Sequence, residues 1–341
     1  MADDDKDPRE TPWHPRRRLV LYGHEEAEAR LLRAVQAGKL HHAWLISGPR
    51  GVGKATLAFR MARYLAQPPG HWSPNTLAVP GDSETAHQLA AGAHPNVFLL
   101  QRRVDPKTKR LKTEISVDDA REAIGFVTMT SATGGWRIVV VDTADDLNLS
   151  SANALLKMIE EPPPRSIVLI VSHNPGTLLR TIRSRCLHLR LEPLPEAGVL
   201  QTLHSLPEAA ISADGAGLES AASLSRGSPG RALELLSSRG AAAFVELRGR
   251  RGLSPARAVE VAAAFGGRTM LPEDYQVFCE LLTGWVAGQA REAAVQGRGD
   301  GLARAHDDIV YSLRQADALN LDRRQTVTDA LLRLDEALKA S

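Results

Sequence analysis

Cysteine, net charge and long apolar runs are all nearly missing from this chain. Only Cys186 and Cys279 occur in 341 residues, too few for a disulfide framework or a cysteine-rich zinc site. Lys and Arg number 42 against 40 Asp and Glu, a net charge of +2, so overall charge gives no case for wrapping nucleic acid, although a local basic face is not excluded. No run approaches the ~18 apolar residues of a membrane span. The first residues, Met-Ala-Asp-Asp-Asp-Lys-Asp, are acidic and polar, the opposite of a secretory signal. No internal repeat is present. What is left is a globular chain, expected to be cytoplasmic, long enough for two or three domains.

The most informative stretch runs from Ala43 to Thr56. A short apolar run ends in a glycine-rich turn that opens a helix, with the spacing GxxxxGK, the pattern of a P-loop. Gly48, Gly51 and Gly53 can adopt the positive φ that turns backbone N–H groups around an anion. With Arg50 and Val52 they form the loop, and Lys54 at the helix start can reach phosphate oxygens. The next position departs from the pattern. A P-loop carries Ser or Thr there to ligate Mg²⁺, and here it is Ala55. Thr56 sits about 100° further around the helix, so it points elsewhere.

Residues 1–18, with Arg16-Arg17-Arg18, read as a frayed, solvated tail. Apolar periodicity predicts a helix over 25–35 ending near Gly38. Residues 67–95 read as loop or insertion with one short helix at 84–91. They contain His71, His87 and His94 but no cysteine, and no zinc is expected. A strand at 97–100 precedes a charged turn or hairpin at 102–112. Ser116 is a candidate N-cap for a helix whose first turn carries Asp118 and Asp119. The β-branched runs 138–141 and 167–171 suit buried parallel strands. Alternating β and α signals over 19–191 predict a doubly wound α/β domain whose ligand edge, at the strand carboxyl ends, holds the P-loop, Asp142 and residues 172–174. From Leu194 onward the signals are helical. A glycine-rich loop enters a helix at 226–233, and a longer helical set runs from about 255 to 339. Its apolar positions Val327, Ala330, Leu331, Leu334 and Leu338 need a partner surface, within the domain or beyond it.

Asp142 ends its strand as a Walker B aspartate does. An ATPase of this architecture commonly follows it with a glutamate that polarises water. Here the residue is Thr143, a feeble base. Asp145 and Asp146 lie close by. Arg180, Arg183 and Arg185 crowd one short segment, as a solvated helix end or as guanidinium offered to a neighbour's triphosphate.

Taken together, these residues resemble the bacterial clamp-loader subunits of the AAA+ class. His41–Gly48 is similar to the family's entry into its P-loop. Asn153-Ala154-Leu155-Leu156-Lys157-Met158-Ile159-Glu160-Glu161-Pro162-Pro163 resembles its NALLKxLEEPP helix. Ser184-Arg185-Cys186 resembles its SRC motif, and the helix start at 227–233 resembles its sensor-2 element, which contains Arg231. The likeness is strong over 19–235 and only architectural beyond. It implies a RecA-like domain over 1–192, a helical lid over 193–245 and a helical collar over 246–341. It also implies a degenerate nucleotide site at Gly48, Arg50, Gly51, Val52, Gly53, Lys54, Ala55, Thr56, Asp142 and Arg231, an arginine finger at Arg185 acting in trans, and sensor-1 chemistry at Ser172 or His173. Implied partners are gamma/tau and delta subunits in a five-membered ring, a sliding clamp and primer–template DNA, within a DNA-directed DNA polymerase. Hydrolysing members keep GKT or GKS and an Asp-Glu pair, so Lys54-Ala55 and Asp142-Thr143 resemble the delta-prime branch. Two readings stay open: a non-hydrolysing scaffold that gives Arg185 to the site next door, or a motor with Thr56 or water as metal ligand and Asp145 as base.

Overall fold

The computed structural model describes residues 11–108, 110–129, 134–207, 213–249, 253–267, 270–319 and 321–340. The chain divides into two compact units, residues 1–212 with 225–231, and residues 213–224 with 232–341. The stretch 193–245 is shared between them.

The first unit is a parallel α/β sheet. Helix α1 (Glu25–Gln36) leads into β1 (Ala43–Ser47) and α2 (Lys54–Ala66). Then follow α3 (Glu84–Ala91), β2 (Val97–Leu100), α4 (Val117–Thr128), β3 (Arg137–Val141), α5 (Leu149–Glu160), β4 (Ser166–Ser172), α6 (Arg180–Arg185), β5 (Leu187–Arg190) and α7 (Glu196–His204). The strands lie in the order β2-β3-β4-β1-β5, every pairing parallel. Side chains alternate across the sheet. Trp44 and Ile46 join Phe59, Met61, Val140 and Leu169 on one face, while Ala43 and Leu45 join Val141, Leu155, Ile170 and Ile182 on the other. Both faces are covered, which is why the central strands read as unbroken apolar runs. Local chemistry sets the ends: Ser116 caps α4 in a capping box with Asp119, and Ser83 caps α3, which closes on Gly92 at φ +71.

The expected tail is different where the structure describes it. Residues 11–21 pack along α2. Arg63, 2% exposed, donates to the Arg16 carbonyl at 2.9 Å, and Arg60, paired with Glu28, donates to the Leu19 carbonyl. Arg18 donates to the Ser205 hydroxyl at 2.8 Å. The segment that reads as a solvated tail is fastened through its own carbonyls at Arg16 and Leu19, whose lone pairs suit guanidinium, and through the Arg18 side chain on Ser205. The first ten residues lie outside the described set. The insertion is also packed: Trp72 stacks on Tyr64 with centroids 5.7 Å apart, the Tyr64 hydroxyl donates to the Ser73 carbonyl at 2.7 Å, and Leu77 and Val79 are buried. Among the described residues no group of three or more His, Cys, Asp or Glu is placed to hold a metal.

The second unit is helical, with α8 (Gly215–Leu224), the later part of α9 (Pro229–Ser237), α10 (Arg239–Gly249), α11 (Pro255–Ala263), α12 (Pro272–Val295), α13 (Asp300–Leu319) and α14 (Arg323–Ala340). Its core gathers Phe244, Phe265, Phe278, Leu282, Val286 and Ile309 around Val327, Ala330, Leu331 and Leu334 of α14. The apolar face of α14 is therefore consumed inside its own unit, each large side chain contributing about 1.5–3 kcal/mol. Among the described residues no helix is long and apolar enough to cross a membrane.

Candidate nucleotide cradle and exposed arginine

The loop after β1 turns on three glycines, Gly48 at φ +144, Gly51 at +77 and Gly53 at +114. A Cβ on Gly48 would run into the Leu191 carbonyl oxygen, and one on Gly51 would lie 2.9 Å from the Arg231 nitrogen and 3.1 Å from the Gly230 Cα. Gly230 N–H donates to the Gly51 carbonyl at 2.9 Å. The loop apex thus rests directly on the first turn of α9, backbone on backbone, and of Arg231 it is the main-chain nitrogen that lies beside the predicted cradle. His24, which sequence reasoning missed, is buried and bonds through Nε2 to the Val52 carbonyl at 2.9 Å. A lone histidine before a helix gave no signal of that contact.

Lys54 is 3% exposed and donates from Nζ to the Gly48 and Pro49 carbonyls at 2.8 and 2.5 Å. Burial pulls its ammonium down to about 8, against the attraction of Asp145 and Asp142 and with some help from Arg50. Asp142 follows β3. Burial pushes its carboxyl up to about 6, Lys54 draws it back, and Asp146 adds to the rise. A cradle of backbone N–H groups with a lysine fits phosphate. The Mg²⁺ donor set fits less well, because α2 begins at Lys54 and its second residue is the methyl side chain of Ala55.

Asp145 is already occupied. Its carboxylate accepts from the Thr143 hydroxyl at 2.5 Å, the Ser172 hydroxyl at 3.2 Å and the backbone N–H groups of His173 and Asn174 at 2.7 and 2.8 Å. Burial acts to raise its pKa, but these hydrogen bonds, Thr143 foremost, hold it below the ordinary carboxylate range. A carboxylate with four donors is a structural clasp between the ends of β3 and β4. It is a poor proton acceptor, and Ser172 and His173 are drawn into the same clasp. Thr143 also lies within 3.1 Å of the Val171 carbonyl.

Arg185 lies elsewhere. Strand β5 pairs in parallel with β1, Trp44 beside Leu187 and Ser47 beside Arg190. The cradle leaves the carboxyl end of β1, whereas Arg185 precedes the amino end of β5. The two sites occupy opposite edges of the sheet, about 15 Å apart along the strands at ~3.3 Å per residue. The Arg185 side chain is 41% exposed and pairs with Glu160 at 2.9 Å. Its Nη1 donates to the Thr181 carbonyl of its own helix at 3.1 Å. Cys186 beside it is buried and free, its thiol pushed up to about 12 by burial, so its role is packing.

The family model described as DNA polymerase III, delta subunit, matches residues 23–195. Subunit delta' of DNA polymerase III from Pseudomonas aeruginosa PAO1 is 37% identical over 189 residues, 55% of this chain and 53% of that one. The Escherichia coli K12 subunit delta' is 36% identical over 208 residues, 60% of this chain and 58% of that one. The tau subunit of the same strain is 31% identical over 225 residues, 65% of this chain and 33% of that one. The chain spans about half the length of the curated relatives it matches. Among solved structures, a DNA polymerase III gamma subunit-related protein of Thermotoga maritima superposes with a TM-score of 0.44 at 17% identity, covering 90% of this chain and 99% of that one.

Proposed function

Because this chain belongs to the family of DNA polymerase III delta subunits, we propose that it serves in a clamp loader as a subunit that does not hydrolyse ATP but presents Arg185 to the nucleotide site of the adjoining subunit. The observation that carries this reading is the placement of Arg185 at the sheet edge opposite its own cradle. A guanidinium there is of no use to its own P-loop, yet it is exposed and has the planar fork that two phosphate oxygens accept. Its own cradle supports the other half of the reading. Ala55 offers no oxygen to Mg²⁺, Thr143 no carboxylate to water, and Asp145 is spent on four hydrogen bonds. Bound nucleotide there would be held by the N–H groups around Gly51 and Gly53 and by Lys54 once it releases its two loop carbonyls. It would brace the contact with α9 rather than turn over.

The partners that follow are gamma/tau and delta subunits, a sliding clamp and primer–template DNA. The full chain alone is expected to show no ATP turnover above background. In a complex rebuilt with its cognate delta and gamma/tau subunits, Arg185→Ala should leave assembly intact by gel filtration and remove most of the DNA- and clamp-stimulated ATPase contributed by the adjoining site. Turnover by the isolated chain that Lys54→Ala abolishes, or full stimulated ATPase in the Arg185→Ala complex, would overturn the reading.

A further inference from the structure

Glu160 sits at the last residue of α5 with Glu161 behind it. Two carboxylates at a helix carboxyl end oppose the helix dipole, so helix stability does not account for them. The structure shows what Glu160 faces. Its carboxylate holds Nη2 of Arg185 at 2.9 Å, and Nη1 of the same guanidinium is turned back to the Thr181 carbonyl one helical turn earlier. Both contacts draw the arginine toward its own chain. Both side chains are also open to water, Arg185 at 41% and Glu160 at 44%, and an ion pair so exposed is weak.

We infer that Glu160 is a positioning residue that keeps Arg185 retracted until the triphosphate of an adjoining subunit displaces it. The inference rests on the arginine-finger reading above. A lone carboxylate and a peptide carbonyl are the acceptors to be replaced, and a triphosphate carries more negative charge and more oxygens than both together. Retraction lowers the fraction of arginine free to engage, and an apparent affinity falls by that fraction. For an exposed pair worth up to about 1 kcal/mol the reduction is at most about fivefold. The effect is on nucleotide affinity at the adjoining site, since once the guanidinium has moved to phosphate, Glu160 no longer holds it.

The test is steady-state ATPase of the full complex with clamp and primed DNA, over a range of ATP. Glu160→Gln removes the charge, keeps the size and sits on the surface, so the fold is undisturbed. It should lower the KM for ATP two- to fivefold with kcat unchanged, and Glu161→Gln should change neither. In an Arg185→Ala background Glu160→Gln should have no effect on KM. If Arg185→Ala lowers the complex's turnover but Glu160→Gln leaves KM where it was, retention by Glu160 is wrong and the finger stands. A fall in kcat for Glu160→Gln also overturns retention, because Glu160 would then align the engaged arginine. A complex indifferent to Arg185→Ala means the finger reading itself has failed.

Discussion

The two edges of the sheet spend their polar groups in opposite ways. At the carboxyl edge nearly every charged group near the cradle is bound to something local. Lys54 holds two carbonyls of its own loop, Asp145 takes four donors and Asp146 pairs with Arg102 at 3.0 Å. At the amino edge Arg185 is exposed and, among the described residues, held by a surface pair and one carbonyl. Burial explains the contrast. A charge taken out of water costs several kcal/mol unless it is fully matched, so the cradle stays well formed by turning its chemistry inward. A charge left in water costs little and can be handed to another molecule. On the proposed reading, the cradle keeps the shape of an enzyme's site and serves as architecture, while the group offered to a neighbour sits on a rim that looks plain.

The largest expected effect tests the rim. Arginine fingers contribute about 10³–10⁵-fold in phosphoryl transfer, so Arg185→Ala should slow single-turnover hydrolysis at the adjoining site at least 10³-fold. Arg185→Lys should recover little of it, because an ammonium lacks the fork. Lys54→Ala at the other edge should leave the same rate within about threefold. Rapid-quench measurement on the complex with one labelled site separates the two, and equal losses at both edges would erase the contrast.

Next in size is the pH dependence of Asp142. Its folded pKa is raised to about 6 from an ordinary 3.8, so the folded protein binds this proton more tightly than the unfolded chain does. Stability from this group is therefore greatest below pH ~4, falls as pH rises to about 6, and is flat above. Two pKa units correspond to about 3 kcal/mol. Asp142→Asn should remove that slope and raise stability near pH 7, read by urea unfolding of the full chain between pH 4 and 7. An unchanged slope would mean that Asp142 is well solvated and the carboxyl edge less closed than the structure has it.

Asp145 has the opposite sign. Its folded pKa is lowered, so its contribution is present above pH ~4 and is lost as pH falls through the folded value. Asp145→Ala strips partners from two backbone N–H groups and two hydroxyls, for about 2–3 kcal/mol. A cost below about 0.5 kcal/mol at pH 7 would show that water replaces the clasp, and would return Asp145 to the list of candidate bases.

Much of this was legible because it is local. The P-loop spacing, the strands and the Ser116 cap are written within a dozen residues, and the Asn153–Pro163 helix carries its family likeness in one run. What was not legible depends on chain segments far apart. The Asp145 clasp needs the ends of β3 and β4 to be neighbours, which only the sheet order supplies. The Gly51–Gly230 contact joins residues 179 positions apart, and neither glycine announces the other. Arg60 and Arg63 gave no signal in the sequence, yet both are buried and donate to carbonyls of Leu19 and Arg16, because a guanidinium at the end of an apolar stem can reach carbonyls that a sequence does not reveal. The apolar face of α14 was visible, but not that its own unit covers it.

The smallest effect should come from Arg183, and it decides whether the amino edge acts through one side chain or through bulk charge. Arg183 shares α6 and a full positive charge with Arg185. Its carbonyl is bonded by His188 at 2.8 Å, and its Nε is buried with no hydrogen-bond partner among the described residues, so this guanidinium is partly turned into the protein where Arg185 is turned out. Exposed charges within one Debye length, about 8 Å at physiological salt, are felt together. If positive potential were all that the adjoining phosphate needed, removing either arginine would cost the same. A fork that must meet two oxygens predicts otherwise. Arg183→Ala should change the stimulated ATPase of the complex by less than about twofold, and the residual effect should fade between 50 and 300 mM salt as screening removes it. The loss in Arg185→Ala should persist over that range. Matching losses that vanish together at high salt would reduce the finger to a patch of charge.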